Sequence, residues 1–252
     1  MDECRIRIAA AGDIHFGERE NDRERAAEAF GALAGRADLI LLAGDLTTHG
    51  EPEQAAIVAD ALRDVEVPVL AVMGNHDWHT NQAAELTAVL QEAGITVLDR
   101  SHTVLELCDA EVGIAGAKGF VGGFAGSHLP DFGEPSLRAI YAEGMEEVAA
   151  LDAGLRAIAL CPFRIALLHY APTSETLVGE RRDIWTFLGT DRLAPPILEH
   201  APDLVLHGHA HAGTFEGRIG EVPVYNVSVP VLGEDWWVFE LAGKARAPSE
   251  VR

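Results

Sequence analysis

Lysine is almost missing from this chain. Of 252 residues only Lys118 and Lys244 carry an ammonium group, and the other basic residues are arginines. Lys and Arg together number 19 against 40 Asp and Glu, a formal net charge of -21. Such a surface repels polyanions, which argues against a general nucleic-acid binder and against docking on anionic membranes. Cysteine is scarce as well. Cys4, Cys108 and Cys161 stand far apart, odd in number and without a CxxC pair. That argues against a disulfide framework or a cysteine zinc site and leaves reduced, buried thiols as the expectation. No apolar run approaches the roughly 18–20 residues of a membrane span. The opening MDECRIRIAAAGD carries charges at once, unlike a secretory signal. Linkers rich in Pro, Gly and Ser, internal repeats and low-complexity tracts are absent too. Residues 1–252 therefore read as one domain, with 48% apolar residues to build its core. A cytoplasmic enzyme is the expectation.

What is present is a set of five short apolar runs: RIRIAAAGD (5–13), DLILLAGD (38–45), VPVLAVMGNHD (67–77), RIALLHY (164–170) and DLVLHGHAH (203–211). Continuous apolar runs without alternation are the mark of buried parallel strands. Helical patterns separate the first three. Residues 20–37 start at Asn and Asp, Pro52 opens 51–65, and 81–94 runs from an expected Asn cap to Gly94. The order β-α-β-α-β-α predicts a parallel sheet and an α/β fold. Further strands are expected at 102–107 and 111–116, a long helix over much of 135–158, and strands of a second sheet at 222–230 and 235–241. The stretch GAKGFVGGFAGSHLPDFGEP (116–135) reads as a long glycine-rich loop, with its 117–135 part expected beside the site.

Each apolar run ends in residues able to hold a metal. The first ends in Asp13 and His15, the second in Asp45, and the third in Asn75, His76 and Asp77. The fourth ends in His169, and the fifth in His207, His209 and His211. Parallel strands bring their carboxyl ends together, and ligands of open α/β sheets bind there. Two carboxylates, four imidazoles and one amide suffice for two divalent or trivalent ions. Oxygen and nitrogen ligation without thiolate suits Mn, Fe or Zn. The reading gives one ion Asp13, His15 and His211, the other Asn75, His169 and His209, and lets Asp45 bridge them. Paired ions of this kind clamp the attacking and leaving oxygens of an in-line displacement. His76 is left over and is expected to act as general acid, with Asp77 orienting its ring.

The series D-I-H (13–15), G-D (44–45), G-N-H-D (74–77), lone His169 and G-H-A-H (208–211) resembles, in order, the motifs of calcineurin-like metallophosphoesterases. The resemblance implies a four-layer α/β/β/α sandwich with two mixed β-sheets and a dinuclear metal centre. It places ligand roles on the same seven residues and a catalytic role on His76. Met73 before Gly74, Asp77 closing the third motif, and GDLTTHG (44–50) depart from the protein-phosphatase branch and look more like the phosphodiesterase side. The expected activity is hydrolysis of a small phosphodiester by a metal-bound hydroxide. The alternatives are a phosphomonoesterase or nucleotidase with the same centre, and a non-catalytic interaction module on the same fold. Lys118, Phe120, Tyr170 and His207 are candidates for touching substrate, and His207 is equally a strand end or a support for a ligand imidazole. Trp78 could line the pocket or the core. His49, His79, His102, His128 and His200 read as surface or loop residues.

Overall fold

The computed structural model describes residues 4–243. The N-terminal half runs β1 (Cys4–Ala11), α1 (Asp22–Gly31), β2 (Leu39–Ala43), α2 (Pro52–Leu62), β3 (Val69–Val72), α3 (Ala83–Glu92) and β4 (Thr96–Val97). A hairpin follows, β5 (Ser101–Leu107) and β6 (Ala110–Gly116), then a small one, β7 (Gly123–Phe124) and β8 (Ser127–His128), inside the glycine-rich loop. The remainder is α4 (Pro135–Ala157), β9 (Phe163–Leu167), α5 (Trp185–Leu188), α6 (Ala194–His200), β10 (Leu204–His207), β11 (Glu216–Ile219), β12 (Val222–Asn226), α7 (Val229–Leu232) and β13 (Trp237–Gly243).

Two large mixed sheets form, ordered β13-β1-β2-β3-β4 and β11-β12-β10-β9-β6-β5. The layering follows from the two-residue period of a strand. In the first sheet Ile6, Ile8, Leu39, Leu41, Leu70 and Val72 face the second sheet. The residues between them, such as Ala9, Ile40, Leu42 and Ala71, face Phe30, Val58, Leu86 and Leu90 of the first helix layer. Ile114, Phe163, Ile165, Leu167 and Leu206 return the contact from the second sheet. The other face of that sheet, with Ala166 and Val205, packs on Leu151 and Leu155 of α4 and Ile197 of α6. Helix, sheet, sheet and helix therefore stack as four layers. Apolar residues on both faces explain why these strands show no alternation in sequence.

Local chemistry explains the start of α2 and the end of α3. Pro52 stands at the start of α2 after an extended Glu51. Gly94, at φ +86°, ends α3, with Gly94 N–H bonding the Gln91 carbonyl and Ile95 N–H the Leu90 carbonyl. That is the Schellman arrangement. Three expectations are corrected. Asn81 does not cap α3: Gln82 precedes the helix, without a side-chain hydrogen bond. The strand expected at 235–241 joins the first sheet, antiparallel to β1, because β1 offers an open edge there. Cys108 is exposed, since it sits with Asp109 in the tight turn between β5 and β6, both at positive φ; Cys4 and Cys161 are buried. Trp236 donates its indole N–H to the Ala29 carbonyl and lies 4.9 Å from Phe30. No helix among the described residues is long and apolar enough to cross a membrane.

Candidate metal centre

β1, β2 and β3 run parallel, as do β6, β9 and β10, so their carboxyl ends meet. The turns after them are laced by backbone bonds. Asp13 N–H bonds the Gly44 carbonyl at 2.9 Å, and His15 N–H the Asp45 carbonyl at 3.1 Å. Four of the ligand candidates hold left-handed backbones: Asp13 at φ 57°, His15 at 43°, Asp45 at 51° and His209 at 70°. Such conformations are uncommon outside glycine and persist where the surroundings over-determine them, typically at functional sites. Glycine is required beside them. A Cβ on Gly44 would stand 2.5 Å from His169 Nδ1, and one on Gly74 would stand 2.0 Å from Asp45 Oδ1.

All seven expected ligand residues converge. His211 Nε2 lies 3.0 Å from Asp13 Oδ1. His15 Nε2 lies 3.7 Å from Asp45 Oδ2, while His169 Nε2 lies 3.4 Å from Asp45 Oδ1. Asn75 Oδ1 is 3.0 Å from His169 Nε2. Two donors on one ion at about 2.1 Å stand roughly 3.0 Å apart at right angles and roughly 3.4 Å apart at tetrahedral angles. The observed separations fit such spacing. Donor atoms also cluster within 4.8 Å in the groups Asp13–His15–His211 and Asp45–His169–His209. The donor set thus fits metal ions, and the two oxygens of Asp45 face different groups.

Backbone carbonyls aim the rings. His169 Nδ1 bonds the Ala43 carbonyl at 2.8 Å, which turns Nε2 to the centre. His209 Nε2 bonds the Phe187 carbonyl at 3.1 Å, which leaves Nδ1 free. His76 Nδ1 bonds the Thr48 carbonyl at 2.7 Å, so the proton resides on Nδ1 and Nε2 points inward, 3.9 Å from Asp45 Oδ2. His76 is half-buried, reaches solvent, and donates its backbone N–H to Asp45 Oδ1.

The electrostatics call for cations. Burial, then the neighbouring charges of Asp13 and Asp77, push the Asp45 carboxyl up to about 9. Burial also works against the Asp13 carboxylate, yet the His211 hydrogen bond and the surrounding histidines hold it below the usual range. Burial lowers His169 and His209 and takes His15 down to about 4. These imidazoles are neutral at pH 7, with lone pairs available to a metal. Among the described residues no Lys or Arg pairs with Asp13 or Asp45; their ionic partners are histidines. A further group, Asp152, Glu199 and His200, lies on the outer helices, where Arg156 already pairs with Asp152 at 2.5 Å.

Two expected roles are corrected. Asp77 does not touch the His76 ring. It is fully buried, and its carboxylate accepts Leu46 N–H, Thr47 N–H, the Thr47 hydroxyl and Gly74 N–H, clamping the second motif to the third. His207 is wholly buried and out of substrate reach. Its ring bonds the Thr176 hydroxyl and the Gly208 carbonyl, so it props the turn before His209 instead of any ligand ring. Tyr170 packs its ring 4.4 Å from that of His209. Lys118 lays its ammonium 4.4 Å over Phe120 and 5.4 Å over Tyr170. Sequence reasoning missed Asn226, buried at the end of β12, whose amide donates to the Ala210 carbonyl and accepts Ser228 N–H, holding the 208–211 turn. Nothing in its spacing marks it.

The family model for calcineurin-like phosphoesterases matches residues 6–213, which contain every candidate ligand. The chain belongs to that family. This phosphoesterase is a metal-dependent hydrolase of phosphoester bonds, and its two sheets and flanking helices are the family's fold. Solved structures repeat the architecture. A phosphopantetheinyl hydrolase from Mycobacterium tuberculosis is 17% identical, with 88% of each chain covered and a TM-score of 0.65. A protein from Thermus thermophilus is 20% identical over 96% of this chain and 100% of its own, with a TM-score of 0.57. A putative 5'-nucleotidase from Staphylococcus aureus is 14% identical over 88% of the phosphoesterase and 48% of its own chain, also with a TM-score of 0.57.

Proposed function

We propose that the phosphoesterase is a dinuclear enzyme hydrolysing a small phosphodiester. The observation that carries this is Asp45. One of its oxygens faces His15 and the other faces His169, as a carboxylate shared by two ions must. Asp13, His15 and His211 hold one ion, and Asn75, His169 and His209 hold the other, with Mn, Fe or Zn matching the donors. Bound ions of this kind polarise a phosphoryl oxygen and make water a nucleophile near neutral pH. His76 moves the proton. Thr48 holds its Nδ1–H, and Nε2 stands at the rim of the centre, placed to take a proton from the solvent it reaches and pass it to the departing ester oxygen. Asp77 and His207 keep the loops in register. Lys118, Phe120 and Tyr170 form the wall against which substrate lies.

The unit that does this is one domain, with the 117–135 loop along one side of the site. Among the described residues all three cysteines are free, which suits a reducing compartment such as the cytoplasm. The acidic surface suits a small substrate better than a nucleic acid. A metal analysis with paired assays tests the reading. Purified or reconstituted protein should hold about two transition ions per chain, and with Mn²⁺ it should hydrolyse bis-p-nitrophenyl phosphate faster than p-nitrophenyl phosphate. Faster monoester cleavage would assign the centre to a phosphomonoesterase or nucleotidase. Uptake of metal without hydrolysis of either would leave a non-catalytic module.

A further inference from the structure

Beside the third ligand-bearing turn lies a cavity of about 550 Å³, walled by Met73, Trp78, Asn81, Thr87, Gln91 and Asp99. Small-molecule pockets commonly measure roughly 300–1,000 Å³. Nothing in the ligand count or in the proton path uses this cavity.

Its position ties it to the metal centre. Met73 follows β3, and Trp78 closes the short 3₁₀ turn that begins at His76, so Asn75 and His76 lie between two wall residues. On the far side the lining includes Ser101 at the start of β5. Ser101 pairs with Gly116. Two residues on, the Lys118 carbonyl accepts the N–H groups of His169 and Tyr170. The chain that bonds His169 at Lys118 therefore runs back through Gly116 to the strand edge that lines the cavity. The Lys118 ammonium acts electrostatically on Asp45 at the centre and on Asp99 at the cavity. The two bays are neighbours along the carboxyl edge of the sheets.

The lining has a definite chemistry. Trp78 is 44% exposed, unusual for the largest side chain, and no ring among the described residues stacks on it. Met73 and Val97 add apolar floor. Asn81, Thr87, Gln91 and Ser101 bring polar side chains that are not engaged in hydrogen bonds with the protein. Asp99 is the single carboxylate of the lining, so the cavity accepts hydrogen bonds from donors and repels a second anionic group. An exposed indole face with free amides around it suits a flat ring with polar edges.

We infer that this cavity is the subsite for the organic arm of the ester, and that it takes an uncharged planar heteroaromatic ring bearing an amino donor, stacked on Trp78 and hydrogen-bonded by Asp99 and the neighbouring amides. The word arm rests on the phosphoester reading above; the ring-binding itself does not. Adenosine is the probe, since it carries the ring and the amino group but no phosphate, and inosine lacks the amino group. Titrated into the metal-loaded protein and followed by calorimetry or NMR, adenosine should bind and inosine more weakly. Trp78→Ala should weaken adenosine about tenfold or more, the usual cost of removing a stacking ring, and Trp78→Phe should restore most of it. Adenosine failing to bind the wild type, or binding Trp78→Ala as well as the wild type, overturns the inference. Turnover of bis-p-nitrophenyl phosphate by the same preparation reads the metal centre separately. Turnover without adenosine binding defeats the subsite alone, and adenosine binding without turnover defeats the hydrolase reading alone.

Discussion

Replacing Asp77 by Asn separates a structural clamp from a catalytic partner. The Asp77 carboxylate receives four donors: Thr47 N–H at 2.9 Å, the Thr47 hydroxyl at 2.8 Å, Gly74 N–H at 2.8 Å and Leu46 N–H at 3.2 Å. Among these partners only the Thr47 hydroxyl can also accept. An amide flipped either way puts its NH₂ against two of them. In the better flip the amide oxygen keeps Leu46 and Gly74 while the Thr47 hydroxyl accepts, so one bond to a charged group vanishes, at about 1.5–3 kcal/mol, and the buried Thr47 N–H faces another donor, at about 1–3 kcal/mol more. Removing a buried charge offsets part of that loss. The net cost is about 3 kcal/mol. For a domain of this size each kcal/mol moves the midpoint roughly 2–4 °C, so thermal unfolding should fall by about 6–12 °C. Melting curves of wild type and Asp77→Asn, both stripped of metal with chelator, measure it. The surviving folded enzyme should keep the wild-type pH profile of kcat, because Thr48, not Asp77, holds the His76 ring. A variant that melts within about 2 °C of wild type, with activity lost, would refute the clamp and restore Asp77 to the proton path.

His76→Ala should leave the metal content unchanged and lower kcat roughly 10²-fold or more, the usual scale for a lost proton-transfer group; equal turnover would remove His76 from the mechanism. Metal uptake should depend on pH through Asp45. Its carboxyl is pushed up to about 9, so below that pH the metal-free protein holds a proton that an arriving ion must displace. Affinity should therefore rise at least about tenfold per pH unit from about 6 toward 9, more steeply at the lower end, where His211, raised by its Asp13 hydrogen bond, must also give up a proton, and then level off. Calorimetry in two buffers of different ionisation enthalpy would count the released proton. His15, taken down to about 4, adds no slope in that window. The same shift has a sign for stability. A folded pKa above the unfolded value gives the metal-free protein a contribution that is full below about 4 and lost as pH rises through about 9.

How much of this was legible beforehand follows from what a side chain can and cannot announce. The five apolar runs and the donors that end them are visible because burial on both sheet faces demands uninterrupted Ile, Leu, Val and Ala, and because metals demand His, Asp and Asn. The convergence of the seven candidate ligands and the helix starting at Pro52 followed from that chemistry, and the four layers from the resemblance to the phosphoesterase family. Only the tertiary structure decided the rest. The groups that aim His169, His209 and His76 are the carbonyls of Ala43, Phe187 and Thr48, and every residue owns a carbonyl, so no letter in the sequence marks them. Asp77 looks like a partner of His76 by adjacency, but the bend of the chain turns its carboxylate toward the backbone of the second motif. β13 pairs with β1 because an unpaired edge was open to it, a matter of sheet geometry that local propensity does not encode. The bay beside Trp78 is made within residues 73–101, yet an exposed tryptophan reads the same as a buried one until β3, α3 and β5 fold against each other.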